Sequence, residues 1–463
     1  MAEQTGSRRA CDRCHMVKER CRWTHGLGKC ERCQRLHSPC QTRRPTKSRG
    51  RKSRYALPQA RRPLPASSEG SDITPVDLII AGSEPSKLPR TLSVFFDLND
   101  RELQILHGVP EGKTRVDQYL VGPSFHECHL KTFIRHLGIA LPFLRDALLA
   151  SSALIAYEYQ PRPIQLDRMI GHKRAASAIS SLRSLASFDP GSVSTVLILA
   201  ILSISFAEII SGRSLEICRH SLHLVKPLYD SLITLDPDSL AFVGCLISSE
   251  LEECLFRCEV PTLRFRVQEL EPKVDRFLGV STPLLPYLHD IAVISHRLRH
   301  DTGSDRPQIM KALDALETEV GQWKPELPES HEATHSQAEI ISILTQANVT
   351  RWSILLMAHR LRHPYGTETI KAGAISEIIL EDLSLSVQRT GRSVPGVNLA
   401  FLAACFELTG PGERQSGLEK TQLFVEFSKQ VQGKVKTILM AAWTILDTHD
   451  QLYWHDLCAL LPQ

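Results

Sequence analysis

Several features are missing from this 463-residue chain, and each absence narrows its class. Residues 1–9 are polar and end in Arg8-Arg9, with no apolar leader; a chain bound for an oxidising compartment would carry one. No stretch reads as a transmembrane helix. The longest uncharged stretch, 190–207, is broken by serines and a threonine and stops at Glu208, which predicts a buried core helix. Strict alternation of apolar and polar residues is rare, so strands are not expected. No three consecutive heptads carry apolar a and d positions, so no coiled-coil zipper is predicted. Gly-x-Ser-x-Gly and His-Glu-x-x-His are both absent, and histidines and acids fall in no catalytic pattern. The chain reads as a protein without enzymatic activity.

Charge is unevenly spread. The net charge is +4, but residues 1–62 hold 18 Lys/Arg against 4 Asp/Glu and the remainder is net acidic. A basic head on an acidic body predicts that nucleic acid meets the head alone. Hydrophobic residues make up 42% of the chain, enough for a large core beyond the head.

Six of the 13 cysteines lie within residues 11–40. Cys11, Cys14, Cys21, Cys30, Cys33 and Cys40 follow C-x2-C-x6-C-x8-C-x2-C-x6-C, a repeat of one half-motif, and both halves open Cys-acid-Arg-Cys. Two separate tetrahedral zinc sites need more ligands than six thiolates supply. Two sites can close if two thiolates are shared, and the symmetric choice is the first cysteine of each half, Cys11 and Cys30. One zinc then takes Cys14 and Cys21, the other Cys33 and Cys40. Three readings compete. A disulfide framework requires an oxidising compartment. A redox Cys-x-x-Cys normally occurs once, beside a strand–helix pattern. Two Cys3His sites would need two of His15, His25 and His37.

The spacing resembles the fungal Zn2Cys6 binuclear-cluster transcription factors. That resemblance implies two short helices around two Zn2+ and a first helix lying in the DNA major groove. It also implies that Lys18 reads a CGG-like triplet in double-stranded DNA; an ammonium suits the O6 and N7 acceptors of guanine. His15 and Arg20, on the same helix, are expected at phosphates. The chain departs from the family at Val17, where a second basic residue is common, and in the loop between the halves, where Gly26 and Gly28 replace a usual proline.

The predicted organisation is a disordered tail (1–10), the Zn2Cys6 module (11–42), a linker that is basic and then rich in Pro, Ser and Gly (43–95), and an all-α body (96–463). Residues 43–54 contain Arg43, Arg44, Lys47, Arg49, Arg51 and Lys52 and no acid. Such a run stays solvated, tracks phosphates or serves as a nuclear import signal. In the body, helices are expected at 100–107, from Pro142 in the first turn to 156, and near 167–186, 193–211, 215–231, 238–258, 283–299, 307–322, 337–362, 374–388, 397–408 and 421–447. The segments 98–107, 142–156 and 404–457 resemble the regulatory domain that follows the cluster in the same family. The resemblance implies a domain that controls activity and binds the transcription machinery or co-regulators, with a small-molecule inducer and a homodimer both compatible. No membrane association is expected.

The expected function is therefore that of a nuclear, sequence-specific regulator of RNA polymerase II transcription, of the kind that serves one metabolic pathway. The alternatives are a zinc-cluster protein–protein adaptor and a helical metabolite-acting domain with a basic nuclear-targeting head. Four further groups are read as bland. Gly108 to Thr114 is one residue short of a phosphate loop. His126-Glu127-Cys128-His129 lacks a fourth ligand at a fixed offset. Cys254 and Cys258 are one helical turn apart, as core thiols can be. Trp352, Trp443 and Trp454 are assigned to core packing.

Overall fold

The computed structural model describes residues 10–12, 14, 21–23, 29–36, 40–42, 97–108, 119–187, 192–231, 235–267, 274–300, 305–328, 334–425 and 428–462. The chain divides into two compact units, Met1–Asp72 and Ile73–Gln463. The predicted linker at 43–95 lies outside the described residues.

In the first unit one helix is described, α1 (Glu31–Arg35). In the second, the described residues form fourteen α-helices: α2 (Asp100–Gly108), α3 (His126–Tyr159), α4 (Gln165–Arg183), α5 (Val193–Ser211), α6 (Leu215–Asp230), α7 (Pro237–Arg257), α8 (Leu285–His300), α9 (Arg306–Gln322), α10 (Gln337–Arg362), α11 (Thr369–Thr390), α12 (Asn398–Cys405), α13 (Pro411–Phe424), α14 (Lys429–Thr448) and α15 (Trp454–Leu460). Among the described residues the only extended pairing is an isolated antiparallel bridge between Asp275 and Gly279.

Two helices organise the body. The first, α5, is apolar all round and buried from Val196 to Phe206, as a helix surrounded by others must be. It packs against α3, α4, α6, α7 and α14. The second, α10, is held by α8, α9, α11, α12 and α15. Between the two groups, α7 touches α5 and α6 on one side and α8 and α15 on the other. Although α5 and α10 are long and apolar enough to cross a membrane, 72% and 56% of their most apolar windows are buried inside the unit.

Helix ends follow local chemistry. Asp236 accepts the N–H groups of Asp238 and Ser239, both at 3.1 Å, and Pro237 occupies the first helical position of α7. At the start of α10, Ser336 and Glu339 form a reciprocal capping box. Glu339 also accepts the Ser124 N–H at 2.6 Å, which fastens the segment before α3 to α10. Gly212 (φ 64°) ends α5 in the left-handed conformation that glycine adopts without strain.

Buried ion pairs dock α2 onto the α3–α4 hairpin. Arg101 makes a two-pronged contact with fully buried Asp167, both arms at 2.7 Å. Arg174 reaches Glu102 at 2.7 Å and Asp146 at 2.9 Å.

The helices differ from the sequence-based expectation in several places: α11 starts at Thr369, five residues before the expected 374, and α15 has no expected counterpart. The helix predicted to begin at Pro142 begins at His126. Buried His129, Thr132 and Phe133 continue its inner face upstream, and a proline removes one backbone bond without ending a helix that is packed on both sides of it. The stretch near 421–447 is two helices, because Ser428 caps a new start with bonds to the Gln430 and Val431 N–H groups.

Candidate metal centre

The half-motif repeat of the sequence is also a repeat of contacts. The Cys14 N–H points at Cys11 Sγ, 3.4 Å away, and the Cys33 N–H at Cys30 Sγ, 3.5 Å away. The Cys11 N–H meets Cys21 Sγ at 3.3 Å, and the Cys30 N–H meets Cys40 Sγ at 3.3 Å. Across the halves, Asp12 N–H donates to the Gln41 carbonyl at 2.8 Å and Glu31 N–H to the Arg22 carbonyl at 3.0 Å. Each of these six contacts has its counterpart nineteen positions away, so the described parts of the two halves repeat one another and clasp each other. Cys30 also serves as the N-cap of α1.

The sulfur atoms fall into two groups of four that could hold metal ions: Cys11, Cys14, Cys21 and Cys30, and Cys11, Cys30, Cys33 and Cys40. Within each group all ligand atoms lie within 4.8 Å of one another. Cys11 and Cys30 belong to both. Sulfur separations of 3.8 Å (Cys11 to Cys30), 3.6 Å (Cys11 to Cys33) and 3.8 Å (Cys14 to Cys30) match the edge of a tetrahedron with metal–sulfur bonds of about 2.3 Å. They are far beyond a disulfide bond, and all thirteen cysteines are free. Among the described residues no other group of histidine, cysteine and acid meets the same spacing. The residues present therefore fit a metal cluster.

The electrostatics separate the sulfurs into two kinds. Burial pushes every thiol up. At Cys11 it is outweighed by the Cys14 N–H and neighbouring thiols, and the pKa falls. At Cys30 the Cys33 N–H and the thiols around it bring the value down to about 6. At Cys14, Cys21, Cys33 and Cys40 burial prevails and the values rise, to about 12 at Cys21. The two sulfurs common to both groups are thus the readiest thiolates, the form in which cysteine binds metal. Trp23 packs against the sulfur cluster, a contact that the sequence reading missed and that its place two residues after Cys21 could have suggested.

The expected DNA-contacting residues His15, Lys18, Arg20, Arg43, Arg44, Lys47, Arg49, Arg51 and Lys52 lie outside the described residues, as do His25 and His37 and most of the phosphate-loop lookalike. The other bland groups have structural roles. His129 is buried against Phe133, Phe242 and Phe277; burial and then the nearby Arg276 charge push its pKa down to about 3. Cys128 is exposed and Glu127 pairs with Lys131, so that tetrapeptide does not converge. Cys254 accepts from Arg219 at 3.5 Å, while Cys258 faces Ser295 and the His455 carbonyl. Trp443 donates to the Cys405 carbonyl at 2.8 Å, and the Trp454 ring packs at a tilt against Phe256 and Phe406.

The chain thus joins a six-cysteine module able to hold metal to a large all-helical body. Residues 120–461 match the family model of the fungal specific transcription factor domain, and the chain belongs to that family. No curated protein and no solved structure matches the chain.

Proposed function

We propose that this protein is a nuclear, zinc-dependent regulator of RNA polymerase II transcription that binds double-stranded DNA in a sequence-specific way. The observation that carries the reading is the pair of sulfur tetrads sharing Cys11 and Cys30, on a chain whose helical body belongs to a transcription-factor family. Cys14 and Cys21 complete one Zn2+ site and Cys33 and Cys40 the other. When bound, zinc supplies the folding energy that a module of this size cannot draw from apolar burial.

In this reading Lys18 presents its ammonium to guanine acceptors of a CGG-like triplet. His15 and Arg20, with Arg43, Arg44, Lys47, Arg49, Arg51 and Lys52, neutralise phosphates and make affinity steeply dependent on salt. The helical body regulates the module, receives co-regulators and supplies any dimer contact, since no zipper is present in the sequence. The pathway-specific metabolic role belongs to the same proposal.

The test is binding of the full chain to duplexes with and without CGG triplets, followed by fluorescence anisotropy. Zinc-loaded protein should prefer the triplet, and chelation should abolish the preference. Lys18→Ala should lose about 1–3 kcal/mol of discrimination at one base step. Unchanged preference in that variant would reject the role of Lys18, and equal binding of all duplexes would favour the adaptor reading.

A further inference from the structure

Cys258 caps the end of α7, and Cys458 lies in α15. Far apart in sequence, both are free thiols in one apolar core. Cys258 Sγ lies 3.5 Å from Ser295 Oγ and 3.5 Å from the carbonyl oxygen of His455, about one helical turn before Cys458. The Cys458 thiol is itself a hydrogen-bond partner of the Cys258 sulfur. From α8, Ser295 and Arg299 face that sulfur, and His296 Nδ1 meets the Cys258 carbonyl at 2.8 Å. A thiol, a hydroxyl and a guanidinium thus converge on one buried sulfur.

Two independent features set Cys258 apart from the other core cysteines. Its backbone is left-handed (φ 52°, ψ 43°), a conformation that glycine usually takes at a helix end and that strains a residue with a Cβ. Its acidity also differs. The hydrogen bond from Cys458, with help from Ser295 and Arg299, outweighs burial and brings Cys258 down to about 7. Burial pushes Cys218, Cys245, Cys254 and Cys405 up. Burial and the Cys258 sulfur push Cys458 far up. At neutral pH a thiolate at Cys258 therefore stands beside a protonated thiol at Cys458, the asymmetry of an attacking and a resolving cysteine. An open cavity of about 880 Å³ borders both segments: Phe256 and Arg257, just before Cys258, and Leu461 and Pro462, just after α15, belong to its wall.

We propose that Cys258 and Cys458 form a peroxide-reactive pair, in which hydrogen peroxide oxidises Cys258 and Cys458 then closes a disulfide between α7 and α15. In the first step the Cys258 thiolate attacks one peroxide oxygen. The O–O bond breaks, hydroxide leaves and takes a proton to become water, and Cys258 becomes a sulfenic acid. In the second step the Cys458 thiol gives up its proton and its sulfur attacks the Cys258 sulfur. The S–O bond breaks and a second water leaves. Two thiols lose two electrons in all, and one peroxide becomes two waters. Peroxide is little larger than water, and it reaches the pair from the cavity when α15, a helix of seven residues, moves locally. Because α15 packs against α7, α8, α10 and α14, the bond ties the last described helix to the centre of the unit. A dithiol reductant reverses it. The reaction involves neither zinc nor DNA, so it stands or falls apart from the regulator reading.

The experiment is treatment of the zinc-loaded full chain with hydrogen peroxide, quenching over a time course, alkylation under denaturing conditions and peptide mapping by mass spectrometry without reduction. The expected result is a linked peptide joining Cys258 to Cys458 that disappears with dithiothreitol. Cys258 should be lost as a free thiol at least about tenfold faster than Cys218, Cys254 or Cys405. In Cys458→Ser, which keeps a donor beside Cys258, the sulfenic acid should accumulate at Cys258 and be captured by dimedone. In Cys258→Ser, Cys458 should stay a thiol. The proposal is overturned if Cys258 stays reduced while Cys218 or Cys405 oxidises, if Cys258 links to Cys254 instead, or if Cys458 oxidises as fast in Cys258→Ser as in the parent. Mapping of the parent chain needs no variant, so it decides the matter even if a substitution harms folding.

Discussion

Cys11 and Cys30 stand 3.8 Å apart, sulfur to sulfur, and each belongs to both groups of four that could hold metal ions. The other four cysteines each belong to one group. This inequality makes the six positions experimentally distinguishable.

Loss of a shared sulfur should cost more metal than loss of an unshared one. Cys11→Ala or Cys30→Ala should leave the chain close to metal-free, because structural zinc contributes on the order of 10 kcal/mol to folding and both sites would be broken. Cys21→Ala or Cys40→Ala should retain the opposite site in part. Native mass spectrometry of zinc-loaded protein would count the ions. Two zincs retained by Cys30→Ala would rule out the shared arrangement.

Arg360 is a second structural keystone. Its guanidinium is 1% exposed and bonds both oxygens of Glu407, at 2.7 and 2.6 Å. It also donates to the Pro364 and Thr367 carbonyls, at 3.0 and 2.8 Å, closing the turn between α10 and α11. Replacing one partner strands the other charge in the interior. Arg360→Met and Glu407→Leu should each destabilise the body by about 3–5 kcal/mol, read from urea unfolding. A loss of less than about 1 kcal/mol would mean that the pair is solvated in solution.

Two glycines in helices should respond with opposite signs to the same change. A Cβ on Gly171 would lie 2.5 Å from Leu154 Cγ, where α3 and α4 meet, whereas a Cβ on Gly373 meets nothing within 4 Å. Gly171→Ala should cost about 1–3 kcal/mol through overpacking. Gly373→Ala should gain up to about 1 kcal/mol through helix propensity. Thermal melting of the two variants checks both signs, and a stabilising Gly171→Ala would contradict the close α3–α4 packing.

Glu208 of α5 and Glu252 of α7, two acids whose pKa values burial raises, predict a pH signature. Glu208 and Glu252 keep their protons to about pH 7 in the folded chain, but lose them near the ordinary carboxylate value when unfolded. The unfolded state thus binds fewer protons between the two values, and stability falls as pH rises from about 4.5 to 7, then levels off. His129 and His359, pushed down by burial to about 3 and 4, act oppositely and add stability as pH rises towards the free histidine value. The informative quantity is therefore a difference. Relative to the parent, the Glu208→Gln/Glu252→Gln double variant should gain stability as pH is raised from 5 to 7.5. A difference that does not vary with pH would refute the raised values.

Much of the fold was legible where one local signal was strong. α5 is marked by a long uncharged, largely apolar stretch, and α10 opens on a Ser-x-x-Glu capping box. Legibility failed where signals were mixed. Pro142 obscured the upstream half of α3, and the apolar residues on both sides of Ser428 hid the start of α14. The Gly410-Pro411-Gly412-Glu413 signal for α13 was present and was not read. At the metal centre the cysteine spacing alone pointed to six clustered sulfurs, because metal ligation ties sequence spacing to geometry. Trp23 follows no such spacing. Glu208, Glu252 and Lys434 are brought together only by the packing of α5, α7 and α14, which no local pattern encodes.

The central claim, zinc-dependent reading of DNA sequence, is tested most directly by selecting binding sites from a pool of random duplexes with the zinc-loaded full chain, in parallel with chelator-treated protein and with Cys30→Ala. The account predicts enrichment of CGG-like triplets by the zinc-loaded chain alone, and paired triplets at fixed spacing if it acts as a dimer. Enrichment of no sequence by the zinc-loaded protein, or the same sequences recovered without metal, would contradict it.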